Sequence, residues 1–258
     1  MRYSVSSRQT PEYLRKSDEI KVMFNDRNII FDLIEKYPGK TINLCKYYIH
    51  QEEIDWKEIL NYHKLAQGNF VFGLSYVDDM MECKAQGIKF YYLDYVRTFR
   101  EARGLKDMGV EFLQIDAPLF FQMDKVQKLE MRVRATANLS IRELFNYPDG
   151  APGPWIRPED VELYEPYIDT IEFARVNLDQ ERALFRIYAE QHKWPGDLGL
   201  IIQDLNHLGV NRMIPSTLTE HRLNCAQKCQ ENGNCRLCWR MLSLANPDLL
   251  RDYQKATQ

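Results

Sequence analysis

Apolar residues recur along this chain in two alternating rhythms. From Thr41 onward, short runs rich in β-branched and aromatic residues take turns with longer amphipathic stretches. The β-like runs are Thr41–Tyr48, Phe70–Tyr76, Lys89–Val96, Val110–Asp116, Leu129–Ala137, Thr170–Val176, Leu198–Gln203 and Arg212–Pro215. Between them the helical period predicts helices over Glu52–Ala66, Asp78–Gln86, Phe99–Met108, Pro118–Lys128, Pro158–Tyr167 and Asp179–His192. A closing helix is expected over Leu242–Tyr253. The segment Tyr147–Pro154 is rich in Pro and Gly and reads as a loop inside a longer insertion.

Strands that alternate with helices at this period run parallel, with the helices as crossovers. Eight of them favour an α/β fold of the closed (β/α)8 barrel type over an open doubly wound sheet. Residues 41–217 are the expected barrel. Ahead of it, Arg2–Ser7 and Glu19–Phe24 are two further β-like runs, separated by a helical turn with Pro11 near its start. They are expected to cap one end of the barrel as a hairpin, unless one of them joins it. A helix over Ile29–Tyr37 follows, stopped by Pro38-Gly39. Residues 218–258 are left for a cysteine-rich tail, and the whole is expected to form a single domain.

Composition narrows this picture only slightly. With 34 Lys and Arg against 37 Asp and Glu, the formal net charge is −3, which advertises no general affinity for nucleic acid. There is neither an apolar leader nor a run of 18 apolar residues. A cytoplasmic protein without a membrane segment is therefore expected, and a reducing compartment suits its thiols. A Gly-rich phosphate loop, a His-Glu-x-x-His zinc motif and a Gly-x-Ser-x-Gly nucleophile elbow are all missing from the sequence, which removes several common enzyme classes.

The chemistry most visible in the sequence is a cysteine cluster. Cys225, Cys229, Cys235 and Cys238 follow a Cys-x3-Cys-x5-Cys-x2-Cys pattern, with turn residues Asn232-Gly233-Asn234 inside it. Four converging thiolates repel one another until a cation neutralises them. Structural zinc and a 4Fe-4S cluster both accept such a set, and spacing does not separate them. Cys45 and Cys83 stand alone, and a lone cysteine is more often a small buried apolar residue than a ligand. Cys45 ends a strand and could replace one of the clustered thiolates.

Barrel active sites lie at the C-terminal ends of the strands. The residues there are Asp116, Asn138 and Arg175, with Arg132 and Arg134 on one face of their strand. Arginine on an inner barrel face needs a carboxylate partner or an anionic ligand. One reading therefore pairs Arg132 and Arg134 with Glu172, Glu111 or Asp116. The other makes Arg134, Arg157 and Arg175 the binding groups for an anionic small molecule, with Asp116 and Asn138 as catalytic polar partners. The histidines form no ligand spacing, and only His221 lies close to the cysteine cluster.

Three stretches share a likeness beyond composition. They are Gly153–Glu165, with its Ile-Arg-Pro-Glu-Asp run; Gly109–Asp116 together with Leu129–Asn138; and the closing cysteine group. Together they resemble the collagenase-like (U-type) peptidase family. The resemblance implies a barrel fold and a 4Fe-4S cluster on Cys225, Cys229, Cys235 and Cys238. Despite its name, that family includes members that assist oxygen-independent hydroxylation of ubiquinone precursors or RNA bases, with prephenate as a suggested oxygen donor. The expectation is thus an iron–sulfur barrel of an oxidoreductase or hydroxylase kind, acting on an aromatic small molecule or RNA base, with RNA or another protein as a further partner. Two alternatives stand beside it: a structural zinc-binding module without turnover, and a peptidase.

Overall fold

The structure is a computed structural model, and it describes residues 1–115, 123–137, 139–140, 156, 158, 161–173, 177–192 and 202–203. In chain order the elements are β1 (Arg2–Ser6), α1 (Pro11–Lys16), β2 (Glu19–Met23), a 3-10 turn (Phe24–Ile29), α2 (Ile30–Lys36), β3 (Thr41–Lys46), α3 (Trp56–Leu65), β4 (Phe70–Leu74), α4 (Val77–Ala85), β5 (Phe90–Tyr92), α5 (Phe99–Met108) and β6 (Phe112–Gln114). Then come α6 (Met123–Gln127), β7 (Arg132–Thr136), β8 (Leu139–Ser140), α7 (Val161–Tyr164), β9 (Thr170–Glu172), α8 (Leu178–Tyr188) and β10 (Ile202–Gln203).

Eight strands form one parallel sheet in the order β5-β4-β3-β2-β1-β9-β7-β6. Its two ends also meet. Glu111 N–H donates to Phe90 O at 2.7 Å, Val96 N–H donates to Gln114 O at 2.8 Å, and Val96 bridges Ile115 in parallel. The sheet therefore closes into the expected (β/α)8 barrel, with its strands in chain order around the ring.

The assignment of sequence to ring differs from the expectation. The two N-terminal runs are not a hairpin cap. They are the first two barrel strands, parallel to each other with Ser4 opposite Glu19 and Ser6 opposite Lys21. A parallel pair needs a crossover of about a dozen residues, and Ser7–Asp18 with α1 inside it supplies one. The ring then closes at β9, where Arg2 stands opposite Thr170. The described part of the run at 198–203, Ile202–Gln203, pairs instead with Leu139–Ser140 in a separate two-stranded sheet. The expected strand at 212–215 and helix at 242–253 lie outside the described residues.

The strand pattern explains which side chains enter the barrel. Ile20, Val22, Ile42, Leu44, Phe70, Phe72, Leu113, Val133 and Ile171 are buried, alternate with inward positions and face the helix layer. Helix ends are fixed locally. Asp55 caps α3 through Lys57 N–H at 3.0 Å, and Thr98 and Glu101 cap α5 reciprocally at 3.2 and 3.1 Å. Gly109 ends α5 at φ 89°, a left-handed conformation that favours glycine.

The chain divides into two compact units. The first comprises Met1–Leu119, Asp124–Ala135 and Tyr167–Glu172, and the second Phe120–Met123, Thr136–Pro166 and Phe173–Gln258. In the second, α8 is capped by Asn177, which accepts from Gln180 N–H at 2.8 Å. It buries Leu184, Phe185 and Tyr188, with the Tyr188 ring 5.7 Å from Phe173 and its hydroxyl donating to Ile156 O.

Candidate functional site

The inner face of the barrel is polar where barrels usually hold Val, Ile and Leu. Its residues come from alternate positions: Ser4 on β1, Glu19 and Lys21 on β2, Asn43 and Cys45 on β3, Tyr91 on β5, Gln114 on β6, Arg134 on β7 and Glu172 on β9. They form one hydrogen-bonded network. Glu19 Oε1 accepts from Ser4 Oγ at 2.8 Å, from Asn43 Nδ2 at 2.8 Å and from Arg134 Nη2 at 2.5 Å. Glu172 Oε2 accepts from Lys21 Nζ at 3.2 Å and from Arg134 Nη1 at 3.2 Å, while its Oε1 accepts from Gln114 Nε2 at 3.0 Å. Arg134 thus bridges two carboxylates.

Aromatic packing holds the guanidinium in place. Its carbon lies 4.5 Å from the Phe112 ring centroid and 5.4 Å from that of Tyr91, and those two rings are 4.1 Å apart. Tyr91 fits because residue 73 is glycine. A Cβ there would stand 2.7 Å from Tyr91 Cζ and 2.8 Å from Leu93 Cδ2.

The charges shift one another. Burial alone would raise Glu19 and Glu172, but the cations beside them outweigh it and hold both carboxyls below their usual range. Burial alone would lower Lys21, and Glu172 reverses that, so its ammonium is held well above the ordinary lysine value. The Cys45 thiol is pushed up by burial against the opposing pull of Lys21, and sits 3.4 Å from Asn43 Oδ1 and 3.5 Å from the Tyr91 hydroxyl. Cys45 is therefore a protonated, enclosed thiol, in keeping with the small apolar role expected of it. Two atoms of the network, Gln114 Oε1 and Arg134 Nε, are buried without a hydrogen-bond partner among the described residues.

A second ionic group lies one layer nearer the N-terminal ends of the strands. Arg132 binds Glu111 at 3.1 Å and Asp169 at 2.7 Å, while Arg2 donates to Thr41 Oγ1 at 2.8 Å. The pairing expected for Arg132 and Arg134 with Glu111 and Glu172 is present. Arg134 is also engaged through both Nη atoms, by Glu172 and Glu19. Asp116, Asn138, Arg157, Arg175, Cys225, Cys229, Cys235 and Cys238 lie outside the described residues, as does His221.

The network also contains residues the sequence reading did not select. Glu19 and Lys21 fall in a run expected to cap the barrel or to join it, and the polar-apolar alternation Glu19-Ile20-Lys21-Val22 is that of a half-polar barrel strand. Tyr47 follows β3, and the Lys21 ammonium lies 5.9 Å from its ring centroid. Of Glu19, Lys21, Arg134 and Glu172, Lys21 keeps the most contact with solvent: its side chain is 17% exposed, against 1–2% for the others.

These features define a (β/α)8 barrel with a buried ionic network inside the ring. No family model matches the chain, and no curated protein does. The resemblance to collagenase-like peptidases accordingly rests on its sequence segments alone. Solved structures similar to the chain include a glycerol uptake operon antiterminator-related protein from Thermotoga maritima, at 12% identity over 68% of this chain and 96% of that one, with a TM-score of 0.43. A 3-keto-L-gulonate-6-phosphate decarboxylase from Vibrio cholerae is similar at 13% over 75% and 99%, TM-score 0.44. A 2-keto-3-deoxy-6-phosphogluconate aldolase from Zymomonas mobilis is similar at 14% over 70% and 88%, TM-score 0.41.

The iron–sulfur hydroxylation role expected from the sequence is not upheld. Inside the ring the reason is physical. The carboxylates are engaged by Lys21 and Arg134, the Cys45 thiol is held protonated, and among the described residues no group of three or more His, Cys, Asp or Glu is placed to hold a metal ion. Among the described residues no helix is long and apolar enough to cross a membrane.

Proposed function

We propose that the barrel takes a small carboxylate- or carbonyl-bearing molecule at the C-terminal side of its ring, with Lys21 as the charged contact. The observation that carries this reading is the unequal exposure within the network. Arg134, Glu19 and Glu172 are enclosed, while the Lys21 side chain, whose ammonium lies beside Tyr47, keeps 17% exposure. A cation fixed in a low-dielectric wall attracts an oxyanion more strongly than one in water.

Glu172 holds Lys21 in the charged state, so the lysine acts here through its field and its N–H groups rather than as a nucleophile, which would need the neutral amine. It would stabilise negative charge growing on a carbonyl oxygen, as in reactions that pass through an enolate. Glu172 already accepts from Lys21, Arg134 and Gln114, which suits an orienting anion more than a base.

The test is a titration of pyruvate, glycolate and inorganic phosphate into wild-type protein and Lys21→Met, read by amide chemical shifts. At least one probe should move the amides around β2 and β3 in the wild type and leave the variant unmoved. Equal responses in both proteins, or none to any probe, would remove the reading. A covalent pyruvate adduct on Lys21 after borohydride reduction would replace the electrostatic role with a nucleophilic one.

A further inference from the structure

Tyr47 owes its place to a side chain three residues further on. His50 lies on the connection between β3 and α3 and is buried. Its Nδ1 accepts the Tyr47 amide proton at 3.0 Å, and its own amide donates to Tyr47 O at 2.9 Å. The two contacts close a tight turn directly after the last residue of β3. An Nδ1 that accepts carries no proton, so the imidazole is neutral with its hydrogen on Nε2. The ring packs 6.1 Å from Tyr47 and 6.3 Å from Phe24. Tyr47 in turn presents its ring to the Lys21 ammonium.

We propose that His50 is a positioning residue for the barrel mouth: it latches Tyr47 beside Lys21 by accepting the Tyr47 amide proton, and releases it on taking up a proton of its own. A protonated Nδ1 turns the acceptor into a donor facing another donor, and the turn can no longer hold both contacts. The consequence for ligand binding rests on the reading of Lys21 given above, while the latch itself does not.

The surroundings of His50 set the direction of its titration. Lys46 on β3 lies 5.8 Å from the Phe24 ring centroid and binds Asp79 of α4 at 3.2 Å. From the turn after β2, Arg27 stacks on the other partner of His50, Phe24, at 4.5 Å and binds Glu52 at 2.6 Å, while Asp26 is engaged by Arg8. Glu52 sits on the same connection as His50. Burial lowers the imidazole first, Lys46 lowers it further, and Glu52 opposes both, leaving it below the ordinary histidine value. The latch is therefore closed at neutral pH and opens on the acid side of the usual imidazole range.

The experiment is exchange of the Tyr47 amide in ligand-free, full-length protein, followed by NMR between about pH 5 and about pH 7.5, where histidine changes charge. Strand amides such as Leu44 serve as the folding control, and rates are corrected for intrinsic pH dependence. In the wild type, Tyr47 protection should fall by up to about tenfold on acidification, the worth of one such hydrogen bond. His50→Ala should lack that protection at both ends of the range. His50→Asn, whose amide oxygen stands near the Nδ1 position and does not titrate, should keep it at both. Unchanged protection in His50→Ala with Leu44 still protected would overturn the latch, and so would a wild-type pH step surviving in His50→Asn. A parallel pyruvate titration at both pH values should show a pH step in the wild type that His50→Asn loses. If pyruvate binds neither protein, the Lys21 reading fails while the amide data still decide the latch.

Discussion

Arg132 and Arg134 stand two residues apart on the same face of β7, and each bridges two carboxylates. They differ in their access to water. The Arg132 side chain is 38% exposed and its partners 26–30%, whereas Arg134 is 1% exposed and its partners 1–2%. The same contact on paper therefore means two things. At Arg132 solvent has already weakened both the attraction and the penalty for losing it. At Arg134 the desolvation of three charges is committed, and each charge depends on the others.

Removing the guanidiniums should separate these cases most sharply. Arg134→Met leaves Glu19 and Glu172 buried with too little positive charge, and should lower the stability measured by urea unfolding by about 3–5 kcal/mol. Arg132→Met should lose under about 1 kcal/mol in the same assay. Similar losses at the two sites would show that burial does not set the difference. A smaller effect is expected from the packing that holds Arg134. Gly73→Ala forces a methyl against Tyr91 and should lose about 1–3 kcal/mol.

Acid should sharpen the comparison more gently. Glu19, Glu172 and Asp169 all have carboxyl values held below the ordinary range, although burial alone would raise each of them. The stability they contribute is present in full above the unfolded values, about 4.3 for Glu and 3.9 for Asp, and is lost as pH falls through the lower folded values. Lys21 is raised, so its contribution is complete below about 10.4 and is lost only as pH rises beyond it. Urea midpoints between about pH 6 and about pH 3 should therefore decline toward acid. In Arg134→Met the decline should be shallower, because the depression of Glu19 and Glu172, and with it the stability that acid removes, is reduced. An unchanged acid profile in that variant would contradict the assigned pairing.

The closed barrel was legible because outward positions such as Ile42, Leu44, Phe70 and Phe72 carry an apolar period that parallel strands require. The arginine row on β7 and its pairing were legible for the complementary reason, since a charge at an inward position must find a partner. The ring's starting point was not. Arg2–Ser6 and Glu19–Met23 are short, polar on one face and joined by a six-residue helix, a pattern shared with a hairpin. That misplacement hid Glu19 and Lys21, although Lys21 is the most exposed charge of the network. Sequence spacing also says nothing of which inward residues meet across the ring. Lys21 and Glu172 are 151 positions apart, and Glu19 and Arg134 are 115 apart.

Those separations govern how the ring is assembled. Neighbouring strands such as β1 and β2 meet after closing a short loop, but β1 meets β9 only when residue 2 finds residue 170. Closure entropy grows slowly with length, yet contacts this distant slow folding because their reward arrives last. Until that seam forms, Lys21 lacks Glu172, and the first two strands expose an edge whose inward groups have no counter-charge. The ion network therefore acts as a checkpoint on assembly: its full stabilisation is delivered only to chains in which the first and last strands of the ring have met in register.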